Sequence, residues 1–135
     1  MYTYNAKLDR VVDGDTIDAL VDLGFNTWKK VRIRMMGIDA PESRTRDKEE
    51  KKYGLMAKDY ITRLLDDEGG IVLKTHKDGK GKFGRILGEL WYGEVNINEK
   101  MIEEHHAVRY MGQSKEDIAE EHIKNRAFIN LWVSL

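Results

Sequence analysis

The spacing of apolar residues predicts three strands in the first third of the chain. Residues 2–12, 16–21 and 29–35 each mix apolar with polar residues in the way that half-buried strands do. The Asp-Gly pair at 13–14 signals a turn after the first strand, and residues 23–26 signal a hairpin tip after the second. The chain therefore begins with three consecutive strands joined by short turns.

The third of these strands alternates most regularly, so its side chains can be assigned to two faces. Val31, Ile33 and Met35 fall on one face, and Arg34 falls on the opposite face together with two other cations. We therefore expect the Arg34 side chain to point away from the packed face.

The next part of the chain predicts a helix and two further strands. Apolar residues at helical spacing over 56–65 predict an amphipathic helix of about four turns. The Gly pair at 69–70 stops it. Residues 71–73 and 86–92 predict strands, which brings the predicted total to five.

Two helix-start signals follow these strands. Asn96 with Glu99 forms a capping box for a short helix, and Ser114 with Asp117 forms a looser one for a longer helix that ends near Asn130. We predict an α+β fold, a five-stranded OB-type Greek-key β-barrel with three α-helices. The pattern alone also allows another compact α+β fold.

Length and composition favour one domain. The 135 residues are 41% hydrophobic, enough for one sizeable core, and we predict a single domain over residues 1–135. No stretch is apolar for the roughly 18 residues that a membrane span needs, and the start lacks the pattern of a leader. We expect a cytoplasmic protein with no membrane partner; a processed secreted form is the alternative, since the absence of cysteine fits both.

The charge of the chain is balanced overall but uneven along its length. The net charge of −1 removes the argument that a strongly basic protein binds nucleic acid. Residues 74–85, however, carry five Lys or Arg against one Asp. This basic stretch is either a surface for a polyanion or a solvated loop between strands.

Two acidic segments are the first candidates for chemistry. The Asp-Gly-Asp sequence at 13–15 places carboxylates at a backbone corner where a hard cation can collect oxygen ligands, although a plain turn is the simpler interpretation of this segment alone. Asp39 and Glu42 flank Pro41, the only proline, which stiffens the backbone between them. They are either a rigid reactive pair or the end of a strand.

Arg34 and Arg85 are candidates for gripping one phosphate, although each is also compatible with a surface role. Tyr110, ahead of the last helix, is a candidate for stacking on a base. The four histidines, at 76, 105, 106 and 122, lack the spacing of a zinc site. The absence of cysteine and of a nucleophile elbow argues against covalent catalysis.

Four motifs occur in a fixed order: Val12-Asp-Gly-Asp-Thr16, Arg34-Met-Met-Gly-Ile-Asp-Ala-Pro-Glu42, Lys52-Tyr-Gly54 with Ala57, and Lys82-Phe-Gly-Arg85. In order and spacing they resemble the staphylococcal nuclease (thermonuclease) family. The likeness continues from Val95 to Trp132 and implies the family's OB barrel with three helices.

The resemblance also implies a role for each site residue. Asp15, Asp39 and the backbone carbonyl of Ala40 would bind one Ca²⁺ ion, with Mg²⁺ or Mn²⁺ as alternatives. Glu42 would orient or deprotonate the attacking water. The residues that would contact the nucleic acid are Arg34 and Arg85 at the reacting phosphate, Lys82 along the backbone, Phe83 where the family has a tyrosine, and Tyr110.

The implied function is a calcium-dependent, sugar-nonspecific nuclease that cleaves DNA and RNA on the 5′-oxygen side and leaves 3′-phosphates. We expect single-stranded or breathing nucleic acid as substrate and a monomer as the active form. A noncatalytic OB-fold nucleic-acid-binding module is the alternative. The enzyme is favoured because a binding module has no need to retain both acids, both arginines and Glu42 together.

Overall fold

The computed structural model describes residues 2–65, 70–80 and 85–133, with the backbone alone for 76–80. The strands are Tyr2–Asp13 (β1), Thr16–Asp22 (β2), Trp28–Met35 (β3), Ile38–Asp39 (β4), Ile71–Lys80 (β5), Ile86–Tyr92 (β6), Val95–Asn96 (β7) and Val108–Arg109 (β8). The helices are Lys48–Leu65 (α1), Ile97–Glu103 (α2) and Lys115–Val133 (α3).

Five of the strands close into a barrel. Antiparallel pairing runs from β3 through β2, β1 and β5 to β6, and a parallel pairing between β3 and β6 closes the ring. Closure pairs the edge strands that an open sheet would leave exposed. This architecture confirms the predicted α+β class, with an OB-like five-stranded barrel and three helices.

The core lies inside the barrel and beneath α1. Ile17, Ile33 and Leu90 are fully buried, and Ala57 and Ile61 of α1 join the same apolar cluster. Burying a large aliphatic side chain contributes about 1.5–3 kcal/mol, so this cluster supplies the main driving force for closing the barrel.

Helix α1 begins earlier than the apolar periodicity over 56–65 predicts. Asp47 provides the start, because its Oδ1 accepts hydrogen bonds from the N–H groups of Glu49 at 3.0 Å and Glu50 at 3.2 Å. The same two glutamates place negative charge at the positive end of the helix dipole. The polar segment that precedes residue 56 therefore forms the N-terminal end of the helix.

Both predicted capping signals are confirmed. The Asn96 side chain accepts from the Glu99 N–H at 3.2 Å at the start of α2, and Ser114 Oγ accepts from the Asp117 N–H at 3.1 Å at the start of α3. Helix α3 extends to Val133, slightly beyond its predicted end. None of the helices in the described ranges is long and apolar enough to cross a membrane.

Strand β5 is longer than the apolar segment 71–73 predicts. It continues through the basic stretch as far as Lys80, and its backbone pairs with β1 up to Thr75 and with β6 at residues 72–75 and again at Lys80. Tertiary pairing of this kind overrides the weak strand preference of Lys and Gly. The interpretation of 74–85 as a loop is thus wrong for its first half, and residues 81–84 lie outside the described part.

Candidate active site

Asp15 lies in the turn between β1 and β2, and its carboxylate is buried. Oδ1 accepts a hydrogen bond from Thr16 Oγ1 at 2.9 Å, and Oδ2 accepts one from the backbone N–H of Ala40 at 2.9 Å. Gly14 permits this close approach, since a Cβ there would lie 2.8 Å from Cβ of Ala57 and 3.0 Å from Cβ of Ala40. The turn is therefore packed directly against the segment that carries Asp39.

Arg34 bridges the two acidic segments from the end of β3. Its Nη2 lies 3.4 Å from Asp15 Oδ2 and 3.5 Å from Asp39 Oδ1, and its Nη1 donates to the carbonyl of Met35 at 2.9 Å. The predicted orientation of Arg34, away from the packed face of β3, is confirmed. One guanidinium thus lies between two carboxylates that are 24 positions apart in the chain.

Asp39 is held by backbone pairing and by a histidine. Strand β4 pairs with β8, where Asp39 is opposite Val108. Asp39 Oδ2 lies 2.8 Å from Nε2 of His122, a buried residue of α3. The sequence predicts no partner for His122, because its spacing from other candidate ligands carries no signal for a contact across 83 positions.

Burial governs the electrostatics of this cluster. Burial raises the pKa of the Asp15 carboxyl above its ordinary value, and the Arg34 guanidinium opposes that shift only in part. The nearby Asp39 carboxylate raises the pKa of Asp15 further. Two carboxylates share one guanidinium, so an additional cation would relieve the cost of ionising both.

A cavity of about 650 Å³ opens beside this cluster. Arg34, Asp39, Arg85 and Tyr110 line it, and Tyr110 is positioned by a hydrogen bond from its N–H to the carbonyl of Gly37 at 2.8 Å. The remaining lining residues are Met35, Met36, Gly37, Ile38, Leu87, Met111 and Gly112. The predicted phosphate-binding arginines therefore face one space together with an apolar wall and an aromatic ring.

Glu42 is exposed and lies in a second, smaller pocket that it shares with Asp13 and Arg44. The neighbouring Ser43 is fixed by hydrogen bonds from its N–H, at 3.1 Å, and its Oγ to the Asp13 carboxylate. A Cβ at Gly54 of α1 would lie 2.2 Å from the carbonyl oxygen of Glu42, so only glycine lets the helix pack this closely. The backbone of Glu42 is thus held in place, and its side chain extends outward.

Two predicted substrate contacts, Lys82 and Phe83, lie outside the described residues. Among the described residues, the structure places Asp15 against Arg34 and Asp39, and it places Arg85 and Tyr110 on the cavity that Arg34 and Asp39 line. Ala40 contacts Asp15, whereas Glu42 lies in the second pocket.

The oxygen donors available fit a hard divalent cation. In the described ranges no group of three His, Cys, Asp or Glu side chains is placed to hold a metal ion. Asp15 and Asp39 offer two carboxylates, and Ala40, which directly follows Asp39, has a backbone carbonyl nearby in the chain. Ca²⁺ accepts such a mixture of carboxylate, carbonyl and water oxygens, whereas zinc requires three or four nitrogen, sulfur or carboxylate ligands.

Comparison with known proteins agrees with this assembly. A model of the family described as staphylococcal nuclease homologues matches residues 32–131. Thermonuclease of Staphylococcus hyicus is 36% identical over 98 residues, which cover 73% of this chain and 54% of that protein. An uncharacterized endonuclease of Escherichia coli is 31% identical over 99 residues, covering 73% and 56%, and endonuclease YhcR of Bacillus subtilis is 30% identical over 113 residues, covering 79% and 9%.

The fold and the site are thus an OB-like barrel that carries an acid pair and two arginines beside one cavity. The chain belongs to the family of staphylococcal nuclease homologues. It spans about half the length of the thermonuclease and of the E. coli relative, and a small part of the B. subtilis one.

Proposed function

We propose that the protein is a calcium-dependent nuclease that hydrolyses phosphodiester bonds of DNA and RNA by attack of water. The observation that carries the proposal is the position of Arg34, between Asp15 and Asp39, on the wall of a cavity that Arg85 also lines. A phosphodiester is already anionic and gains charge at its equatorial oxygens when it is attacked. A site for this reaction must therefore present preorganised positive charge.

The arginines are assigned to the phosphate. A guanidinium can donate two parallel hydrogen bonds to phosphate oxygens, and both Arg34 and Arg85 face the cavity. Arg34 is only 17% exposed and is anchored to the Met35 carbonyl, so little reorganisation is needed when substrate binds. Removing one such donor from an active site costs a factor of about 100 to 1,000 in rate.

Asp15, Asp39 and the carbonyl of Ala40 are assigned to hold Ca²⁺. When bound, this ion supplies Lewis-acid stabilisation of the phosphoryl oxygens. The buried Asp15 is kept in place by Thr16 and Ala40 whether or not it is ionised, so its oxygens are oriented before binding.

Glu42 is assigned as the group that orients the attacking water and accepts its proton. Its outward side chain on a fixed backbone suits this role. Lys82 and Phe83 are assigned to the nucleic acid backbone and its terminal phosphate, and Tyr110 to a base stacked over the apolar wall.

The proposal extends to substrate and products. Contacts to phosphates carry little sequence information, so we expect low sequence specificity and activity on both DNA and RNA. Single-stranded or breathing regions are the preferred substrates because a base must leave its stack to contact Tyr110. Cleavage on the 5′-oxygen side would leave 3′-phosphates.

The test is cleavage of single-stranded DNA by the purified protein with millimolar Ca²⁺. We expect degradation that EDTA abolishes and that Arg85→Ala reduces at least 100-fold. Arg63→Ala, at an exposed arginine of α1 paired only with its helical neighbour Asp59 among the described contacts, is the matched control and should cleave like the wild type.

A noncatalytic OB-fold binding module remains the second candidate, because the Tyr110 side of the cavity would hold a base without any chemistry. Tight binding of single-stranded DNA with no cleavage in Ca²⁺, Mg²⁺ or Mn²⁺ would establish the module and contradict the nuclease.

A further inference from the structure

His122 is a polar residue on the face of α3 that packs against the rest of the protein. Of the residues in this helix, His122 and Ile129 are the two that are buried. They are seven positions apart and so lie on the same helical face. A buried imidazole carries two polar ring nitrogens, so its hydrogen-bond partners indicate what it does at this position.

The contact is with Asp39. His122 Nε2 lies 2.8 Å from Asp39 Oδ2, and in the tautomer with its proton on Nε2 the imidazole donates to that oxygen. The other ring nitrogen, Nδ1, is buried and has no hydrogen-bond partner among the described residues. Among the described residues, the Asp39 carboxylate is therefore the hydrogen-bond partner of the imidazole.

The two oxygens of Asp39 have different partners. Oδ1 faces Arg34 Nη2 at 3.5 Å, a distance too long for a strong hydrogen bond, whereas Oδ2 is engaged by His122 at 2.8 Å. The carboxylate is thus fixed on one side and available on the other. The available oxygen is the one that shares Arg34 with Asp15.

We propose that His122 is a positioning residue that holds Asp39 Oδ2 and so leaves Oδ1 to bind the cation. The proposal rests on the Ca²⁺ site of the proposed function and assigns to it a residue from α3, far along the chain. Hydrogen-bond partners of metal-binding side chains typically change metal affinity about 10- to 100-fold. His122 would also link the docking of α3 to the geometry of the site.

A purely structural role for His122 makes a different prediction. Helix α3 is also attached by a hydrogen bond from Tyr53 Oη of α1 to Asn130 Oδ1 at 2.6 Å, which does not touch Asp39. If His122 served only to dock α3, then removing the Tyr53 bond would disturb the site to a similar degree. Tyr53→Phe is therefore the matched control.

The experiment is a Ca²⁺ titration of the ¹⁵N-labelled full chain at fixed pH, followed at the amide of Ala40, which donates to Asp15. We expect His122→Leu to raise the Ca²⁺ dissociation constant about tenfold or more. His122→Gln, whose amide can reach Asp39 as Nε2 does, should stay close to the wild type, and so should Tyr53→Phe. The amide spectrum also reports whether each variant is folded.

Unchanged affinity in His122→Leu would overturn the proposal, as would an equal loss in Tyr53→Phe. If His122→Leu does not fold, His122→Asn provides the same test, since its shorter amide keeps polarity but falls short of Asp39; unchanged affinity there overturns the proposal too. If the wild type cleaves DNA with Ca²⁺ and the His122 variants bind Ca²⁺ with normal affinity, the role proposed for His122 is wrong and the proposed function stands. A wild type with no Ca²⁺ response defeats the proposed function as well.

Discussion

Two clusters of carboxylates and arginines each include an arginine of β3, Arg32 in one and Arg34 in the other, and their charge balance is opposite. In one, Asp18 accepts hydrogen bonds from Arg10 at 3.1 Å and from Arg32 at 2.8 and 3.1 Å, so one acid serves two arginines. In the other, Asp15 and Asp39 share one guanidinium at 3.4 and 3.5 Å.

The two buried acids respond in opposite directions. Hydrogen bonding to Arg32 lowers the pKa of Asp18, which is satisfied as a carboxylate. Burial raises the pKa of Asp15, even though Arg34 is close. The Asp18 carboxylate is neutralised by arginines of the protein itself. The two carboxylates of the Asp15–Asp39 cluster would be stabilised by an added cation. A short distance between Arg and Asp therefore does not distinguish a structural ion pair from a candidate site. The number of arginines per carboxylate and the length of their hydrogen bonds distinguish the two.

The largest effect is expected for Asp39→Asn, which should lower the rate of cleavage. An asparagine can still accept from His122 but removes one negative charge from the cation site, so we expect cleavage to fall by a factor of about 100 to 1,000. The unfolding free energy without Ca²⁺ should not fall, because repulsion between Asp15 and Asp39 is relieved. Initial rates on single-stranded DNA and urea denaturation measure both quantities. If Asp39→Asn were destabilised but fully active, Asp39 would have the structural role that is expected here for Asp18.

The opposite result is expected for Asp18→Asn. This change removes the carboxylate from three charge-assisted hydrogen bonds, and we expect a loss of about 2 kcal/mol in the free energy of unfolding, moderated by the partial exposure of both arginines. Cleavage at a temperature where the variant is folded should match the wild type. Loss of activity in the folded variant would place the Asp18 cluster within the functional site.

Gly54→Ala tests how far the acid cluster depends on packing from α1. The new Cβ would meet the carbonyl of Glu42 at 2.2 Å, so the helix or the Asp39–Ser43 segment must shift. We expect a cost of about 1–3 kcal/mol in stability and a fall in cleavage rate that exceeds the unfolded fraction. Leu55→Ala, at the adjacent exposed position, is the control. Equal rates for the two folded variants would show that the placement of Glu42 is not critical.

The smallest effect is on the pH dependence of stability. The folded-state pKa of Asp15 is raised above 3.8 by burial, so the folded protein binds this proton more tightly than the unfolded chain does. The contribution of Asp15 to stability therefore declines as pH rises from about 3.8 through its folded pKa.

Asp15→Asn lacks this titration, so the difference in unfolding free energy between variant and wild type should change with pH in that window. Saturating Ca²⁺ should reduce the pH-dependent penalty in the wild type, because the ion favours the ionised carboxylate. Parallel stability curves for the two proteins without Ca²⁺ would contradict the assignment of a strained, buried Asp15.

Local patterns predicted much of what positions the site. The alternation in β3 predicted that Arg34 points away from the core, because strand periodicity determines facing without knowledge of the fold. The helix caps at Asn96 and Ser114 could also be predicted from the sequence, since a cap involves residues only three positions apart. The order of the motifs indicated which acids and arginines belong together, and the structure brings Asp15, Arg34 and Asp39 into contact.

Other features could not be predicted because they depend on contacts far apart in the chain. The pairing of β4 with β8 involves two residues in each strand and leaves no periodic signal. His122 reaches Asp39 only because α3 folds back over that pairing, and nothing in the spacing of the histidines indicates it. Asp18 also looked like an ordinary strand residue, since its two arginines come from different strands.

The central claim is that the Asp15–Asp39 cluster binds a cation while the Asp18 cluster does not. A crystal structure determined with Ca²⁺, using anomalous scattering to locate the ion, tests it most directly. We expect one Ca²⁺ in contact with the carboxylates of Asp15 and Asp39, beside Arg34, and none at Asp18. Crystals soaked in Ca²⁺ that hold no ion between Asp15 and Asp39, or that hold one only elsewhere, would contradict it.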